Sequence, residues 1–254
     1  MHLSNRYLTN NDCYRANRTI TPKGVMVHST GVAQPNAEVF IKQWNKSGVK
    51  VAPHAIVAQD GVYQLLHWNH RGWHAGSGSK GSANNTHISF EILEPAGHTY
   101  SGGTMIGYDA TKSADYFAKI YQNAVELTAV LCATYKLDPL ADGVIICHSE
   151  GHSRGIASNH SDVMHWFPKH GKTMQNFRED VAAFMKGEPE LTQEQFNAML
   201  EAYFQQQRQK ETNEWSTSAW NKAVAAGVFD GNAPQSPMSR EQAALVLDRL
   251  GLLE

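Results

Sequence analysis

The chain of 254 residues is 41% hydrophobic and 18% charged, with a formal net charge of −2, which excludes a disordered or fibrous chain and fits one large domain or one ordinary domain plus a small one. No apolar run approaches the roughly 20 residues of a membrane helix, and the opening MHLSNRYLTNND lacks the apolar segment of a secretory signal, so synthesis in the cytoplasm with no membrane insertion is expected. The Lys and Arg up to residue 187, 17 against 14 Asp and Glu, are scattered, which argues against nucleic acid as a partner.

Short apolar runs bounded by turn residues predict strands at 25–27, 55–58, 62–66, 88–93 and 144–147. Asp60-Gly61 marks a hairpin between the second and third. Helical spacing of Ala37, Phe40, Ile41 and Trp44 predicts a helix after the first strand, and the same pattern recurs over 113–135 and 173–185. Interspersed strands and helices define an α/β domain over 1–187, a mixed central β-sheet flanked by helices. The segment 188–191 reads as a linker, since Lys186-Gly187-Glu188-Pro189-Glu190 ends a helix and carries charge. From 192 the pattern is helical only. Thr192 with Gln195 forms a capping box before Phe196, Leu200 and Phe204. Gly227 closes the helix after Trp215 and Trp220, and Ser239 with Gln242 opens a last helix with an apolar side of Ala243, Leu247 and Leu250. The sequence thus predicts a small all-α C-terminal module at 192–254, with 5 Lys and Arg against 10 Asp and Glu after residue 187.

All 13 histidines precede Lys172. His28 ends the run GVMVH and His148 the run GVIICH, so each imidazole stands where a buried strand emerges into a loop, and neighbouring strands would bring both to one edge of the sheet. The Gly/Ser-rich segment after His148 holds His152, His160, Asp162 and His165, any of which could complete three N/O ligands, as in a catalytic zinc site. The alternative is that both histidines are hydrogen-bonded loop residues. In HISFEIL, alternation puts Ser89, Glu91 and Leu93 opposite Ile88, Phe90 and Ile92. Glu91 is either an ordinary exposed carboxylate or, if its face looks towards the two imidazoles, a general base beside an activated water. Cys13, Cys132 and Cys147 are too widely spaced for a disulfide framework or a thiolate metal site.

The stretches KGVMVHSTG, APHAIVAQDGVYQLL, RGWHAGSG, NNTHISFEILE and ICHSEGHSRGIASNHSDVMHW together resemble the zinc-dependent N-acetylmuramoyl-L-alanine amidases, in that family's order and across the first 186 or so residues. The resemblance implies Zn²⁺ held by His28, His148 and Asp162. It places Glu91 on the glutamate that orients and deprotonates the attacking water, and His160 on an oxyanion-stabilising position where many relatives carry lysine. His74 falls at a cleft-lining position and His54 beside one that is tyrosine in some relatives, here Pro53, so both are expected to face the substrate; for His74 a structural role beside Trp73 is the alternative. The implied substrate is peptidoglycan, cut between N-acetylmuramic acid and L-alanine. The implied setting is a bacteriophage or prophage endolysin that reaches the wall through a separately made pore.

The sequence WSTSAWNKAVAAGVFDGNAPQSPMSREQAALVLDRLG resembles one S-layer homology motif, which implies attachment to a secondary cell-wall polymer; a homodimer through the C-terminal helices is the alternative. Two rival functions are a non-catalytic peptidoglycan-binding module of the same fold and a cysteine peptidase acting on the same polymer through Cys147 or Cys13. Retention of both imidazoles, Asp162 and Glu91 argues against the first, and the place of Cys147 within VIIC suggests a buried, inert thiol.

Overall fold

The structure, a computed structural model, describes residues 1–187 and 193–253. Along the chain the elements run β1 (Leu3–Asn5), α1 (Asp12–Ala16), β2 (Gly24–Ser29), α2 (Ala37–Trp44), β3 (Ala55–Ala58), β4 (Gly61–Gln64), β5 (His87–Ile92), β6 (Thr99–Ser101), β7 (Thr104–Ile106), α3 (Ala114–Tyr135), β8 (Ile145–Cys147), α4 (His148–Ser153) and α5 (Met174–Lys186). The three that follow are α6 (Gln193–Arg208), α7 (Glu214–Ala225) and α8 (Arg240–Arg249). The chain divides into two compact units, the first ending at Gly187. The linker expected at 188–191 and the capping box expected at Thr192 lie outside the described residues. Among the described residues no helix is long and apolar enough to cross a membrane.

Six strands form a mixed sheet in the order β1-β4-β3-β5-β2-β8, with β3 and β4 antiparallel and the other pairs parallel. Parallel strands covered on both faces read as continuous apolar runs, and every residue of β2, β3 and β8 is buried. Their two faces nevertheless differ. Val25, Val27, Ile88, Phe90, Ile92, Ile145 and Cys147 belong to the main core, together with Phe117, Ile120, Ala124, Leu127 and Leu131 of α3 and Phe177 and Val181 of α5. Met26 and Ile146 belong to a separate small cluster with Ala75, Ala83 and Ala157. In register, Met26 pairs with Ser89 and His28 with Glu91, so His28, Ser89 and Glu91 share the second face.

Several local features, among them the short helix α1, were not expected. The hairpin β6–β7 turns at Gly102-Gly103, both at positive φ (55° and 79°), a two-residue connection that favours glycine. A short helix, α4, follows His148 where a loop was expected. Its sequence HSEGHS is a poor helix former, but the Glu150 carboxylate accepts from the Cys147 N–H at 3.0 Å and is held by Arg178 of α5 at 2.6 Å, while Arg178 also donates to the Ile145 carbonyl at 2.8 Å. Gly151 packs α4 against the Met26 side chain of β2. The strand β1 is too short to announce itself in the sequence.

In the second unit, α7 ends in a Schellman motif. Gly227 at φ +71° donates to Val224 at 2.9 Å, and Val228 donates to Ala223 at 2.9 Å. Ser239 and Gln242 form the capping box of α8. The expected apolar side of α8 differs: Ala243 is half-buried, but Leu247 and Leu250 are exposed and Val246 turns inward instead. So few helices have too little interior to cover a full apolar stripe.

Candidate metal centre and active site

The carboxyl ends of β2, β5 and β8 meet at one place, the edge of a parallel sheet where ligands bind in α/β proteins. His28 is the fifth residue of β2, Glu91 the fifth of β5, and His148 opens α4 directly after β8. The third ligand candidate comes from a 3₁₀ turn, Asp162–His165. Asp162 itself sits at φ +44°, a left-handed conformation that aspartate tolerates better than most residues.

These residues converge tightly. Oδ2 of Asp162 lies 2.7 Å from Nδ1 of His28 and 2.9 Å from Nδ1 of His148, and the two Nδ1 atoms are 3.2 Å apart. Among the described residues, these three are the His/Cys/Asp/Glu group close enough to hold a metal ion. Burial opposes ionisation of Asp162, but the neighbouring His28 and His148 outweigh it and hold the carboxyl well below its ordinary range. Burial lowers the proton affinity of His28 more than Asp162 raises it, which favours a neutral ring with a lone pair to offer.

Glu91 lines the same cleft as His28, His148, Asp162 and His160, a space of about 700 Å³ that also reaches Trp73 and Lys50. Its Oε2 is buried without a hydrogen-bond partner. Burial, and then repulsion from Asp162 and Glu94, push its proton affinity well above that of an ordinary glutamate. The strand register thus decides which way Glu91 faces, and it faces the imidazoles. His160 is exposed, with its ring centroid 4.6 Å from that of His148 and its Nδ1 3.1 Å from Oγ of Ser158.

His54 does not line the cleft, which corrects its expected role as a substrate contact. It is fully buried; Nδ1 accepts from the Ser89 N–H at 3.0 Å and Nε2 donates to the His70 carbonyl at 2.8 Å. Both nitrogens are occupied, and burial lowers its pKa to about 4. His74 lines the cleft, but its nitrogens lie 3.1 Å from Nε2 of His28 and 3.3 Å from the His87 carbonyl.

Glu94 was not singled out from the sequence. It is fully buried at the end of FEILE, where its carboxylate accepts from Gly31 N–H (3.1 Å), His98 (3.0 Å), Tyr100 (2.7 Å) and His165 (2.9 Å). These bonds tie β5, the β6–β7 hairpin and the turn carrying Asp162 together. Burial raises its proton affinity, but the bonds from His165 and Tyr100 outweigh that and keep it ionised. A second carboxylate closing an apolar strand, with histidine four residues on, was the available signal.

The thiols offer no rival chemistry. All three cysteines are buried and unpaired; burial lifts Cys13 to about 12 and raises Cys147 as well, so neither presents a thiolate.

A mixed α/β domain thus gathers two imidazoles and a carboxylate at its strand ends, a donor set that could hold a metal ion. The family described as N-acetylmuramoyl-L-alanine amidase matches residues 17–168, and the chain belongs to it. Among solved structures the fold is similar to the catalytic domain of XlyA, at 21% identity and TM-score 0.53 over 71% of this chain and 99% of that one. The PlyG catalytic domain (20%, 0.52, 74% and 99%) and a mutant endolysin from Bacillus subtilis (20%, 0.51, 71% and 99%) share it. No curated protein matches the chain.

Proposed function

We propose that this protein is a zinc-dependent amidase that hydrolyses the bond between the lactyl group of N-acetylmuramic acid and the L-alanine of peptidoglycan stem peptides. One observation carries the reading: two Nδ1 atoms and a carboxylate oxygen converge in the cleft that Glu91 also lines, and the buried Oε2 of Glu91 has no partner. Three N/O donors, with a fourth position left for water and substrate, fit catalytic zinc. His28, His148 and Asp162 would hold the ion. Zinc bound there supplies a Lewis acid for the scissile carbonyl and brings the pKa of water down towards ~7.

The remaining chemistry belongs to the chain. Glu91 takes the proton of the attacking water, and its high proton affinity keeps that proton available for the leaving amine of L-alanine. Ser158 can donate its hydroxyl proton to Nδ1 of His160, which leaves Nε2–H of His160 to stabilise the developing oxyanion. In the second unit Trp215 is 85% exposed beside a groove lined by Trp220, Phe229 and Pro234, an aromatic surface suited to sugar rings. That supports a wall-polymer role for the unit and an endolysin role for the chain.

Mass spectrometry of purified peptidoglycan after digestion tests the reading. The expected products are free stem peptides beginning with L-alanine and glycans with intact lactyl carboxylates. Cleavage within the peptide or the glycan instead overturns the proposal.

A further inference from the structure

His28 and His148 each direct Nδ1 into the ligand cluster and Nε2 to a neighbour outside it, and both neighbours lead to the same short turn. Nε2 of His28 lies 3.1 Å from Nδ1 of His74, whose own Nε2 lies 3.3 Å from the His87 carbonyl. A carbonyl only accepts, so His74 carries its proton on Nε2 and its Nδ1 is a lone pair. Without an ion, Nδ1–H of His28 donates to the Asp162 carboxylate at 2.7 Å; with an ion on Nδ1, the proton of His28 sits on Nε2 and donates to the lone pair of His74.

A matching chain serves the other imidazole. Nε2 of His148 lies 3.2 Å from Oγ of Ser158, and the Ser158 hydroxyl donates to the Ala75 carbonyl at 3.3 Å or to Nδ1 of His160 at 3.1 Å. With that proton directed to either group, Ser158 accepts from His148. The Ser158 N–H also donates to the Ala75 carbonyl at 2.9 Å. His74 and Ala75 are consecutive, and Oδ1 of Asn84 accepts both their N–H groups at 2.9 Å. One clamped turn thus anchors both chains.

We propose that His74 and Ser158 are positioning residues that accept the Nε2–H of the two imidazoles when Nδ1 binds an ion, so that the turn at 74–75 fixes the ring planes of both ligands. The proposal rests on the zinc reading above. It gives His74 a role different from substrate contact. Imidazole ligands commonly donate their second N–H to an outer partner, and loss of that partner weakens metal binding by roughly 10- to 100-fold.

The test measures zinc dissociation constants for wild type, His74→Ala, His74→Gln and Ser158→Ala by competition with a chromophoric chelator, and the Nε2–H proton resonance of His28 in the zinc-loaded protein. The expected results are a loss of about 10- to 100-fold in zinc affinity for the two alanine variants, and an upfield shift with faster solvent exchange of the His28 Nε2–H proton in His74→Ala. The His74→Gln amide can accept from His28 and donate to the His87 carbonyl, so it should recover most of the affinity. Unchanged zinc affinity with a raised KM for muropeptide would make His74 a substrate contact and overturn the proposal. So would a loss that glutamine does not recover, accompanied by weaker folding of the metal-free protein. If wild type takes up no zinc, the amidase reading fails separately; a His28 Nε2–H resonance unchanged in His74→Ala refutes the positioning role by itself.

Discussion

Glu91→Gln should move activity and stability in opposite directions. The substitution keeps the shape and removes the base, so turnover should fall by roughly 10²- to 10⁴-fold, as general-base loss typically does, equivalent to about 3–5 kcal/mol of barrier. Zinc content should be unchanged, because Glu91 is not among the three converging ligands. Stability follows from the carboxyl's surroundings. Burial, with Asp162 and Glu94 nearby, makes the folded chain bind this proton more tightly than the unfolded chain does. Its contribution is therefore present below the ordinary glutamate value of 4.5 and is lost as pH rises through the folded value. Glutamine does not titrate. Metal-free Glu91→Gln should melt above metal-free wild type at pH 8, and the gap should shrink as the pH falls to 5. Each tenfold difference in proton affinity is worth ~1.4 kcal/mol, or about 3–6 °C for a domain of this size. Scanning calorimetry under chelation and an assay of released amine read the two effects. A variant that keeps activity within tenfold of wild type, or melts lower at pH 8, refutes the reasoning.

His54 predicts acid sensitivity: its pKa falls from 6.5 to about 4 in the fold, so the unfolded chain takes the proton first and stability drops as pH falls through that window, by ~3 kcal/mol in total. Urea unfolding between pH 7 and 4 should show this loss and a flatter slope for His54→Gln; equal slopes would contradict it. Removal of residues 188–254 should leave hydrolysis of a small soluble muropeptide within about twofold while lysis of whole cells falls far more, because wall attachment raises local concentration and leaves the chemistry alone. If the second unit dimerises the chain instead, the full chain should be a dimer and the truncated protein a monomer in solution, and the isolated unit should not sediment with walls.

The two imidazoles were legible because a histidine ending a buried apolar run is conspicuous and the topology sends both strands to one edge. The side of the sheet that Glu91 faces was not, since the parallel strand is buried on both faces and alternation gives no preference; a long-range pairing, His28 with Glu91, settles it. Asp162 was one of four candidates by spacing, and only its family resemblance singled it out. His54 was misjudged because a histidine beside the cleft in sequence can face the core in space, where Ser89 and His70 occupy its ring. Glu94 went unnoticed because its partners His98, Tyr100 and His165 come from the hairpin and the ligand turn, which local pattern does not join. The helix α4 needed Arg178, 28 residues beyond Glu150, to hold its first turn.

The central claim is that His28, His148 and Asp162 bind the ion on which hydrolysis depends. The direct measurement is the metal content of the purified protein, read with activity through chelation and zinc re-addition, in wild type and in His28→Ala. The expected result is about one zinc per chain, activity lost and restored with it, and neither metal nor activity in His28→Ala. A metal-free wild-type protein that cleaves peptidoglycan at full rate would contradict it.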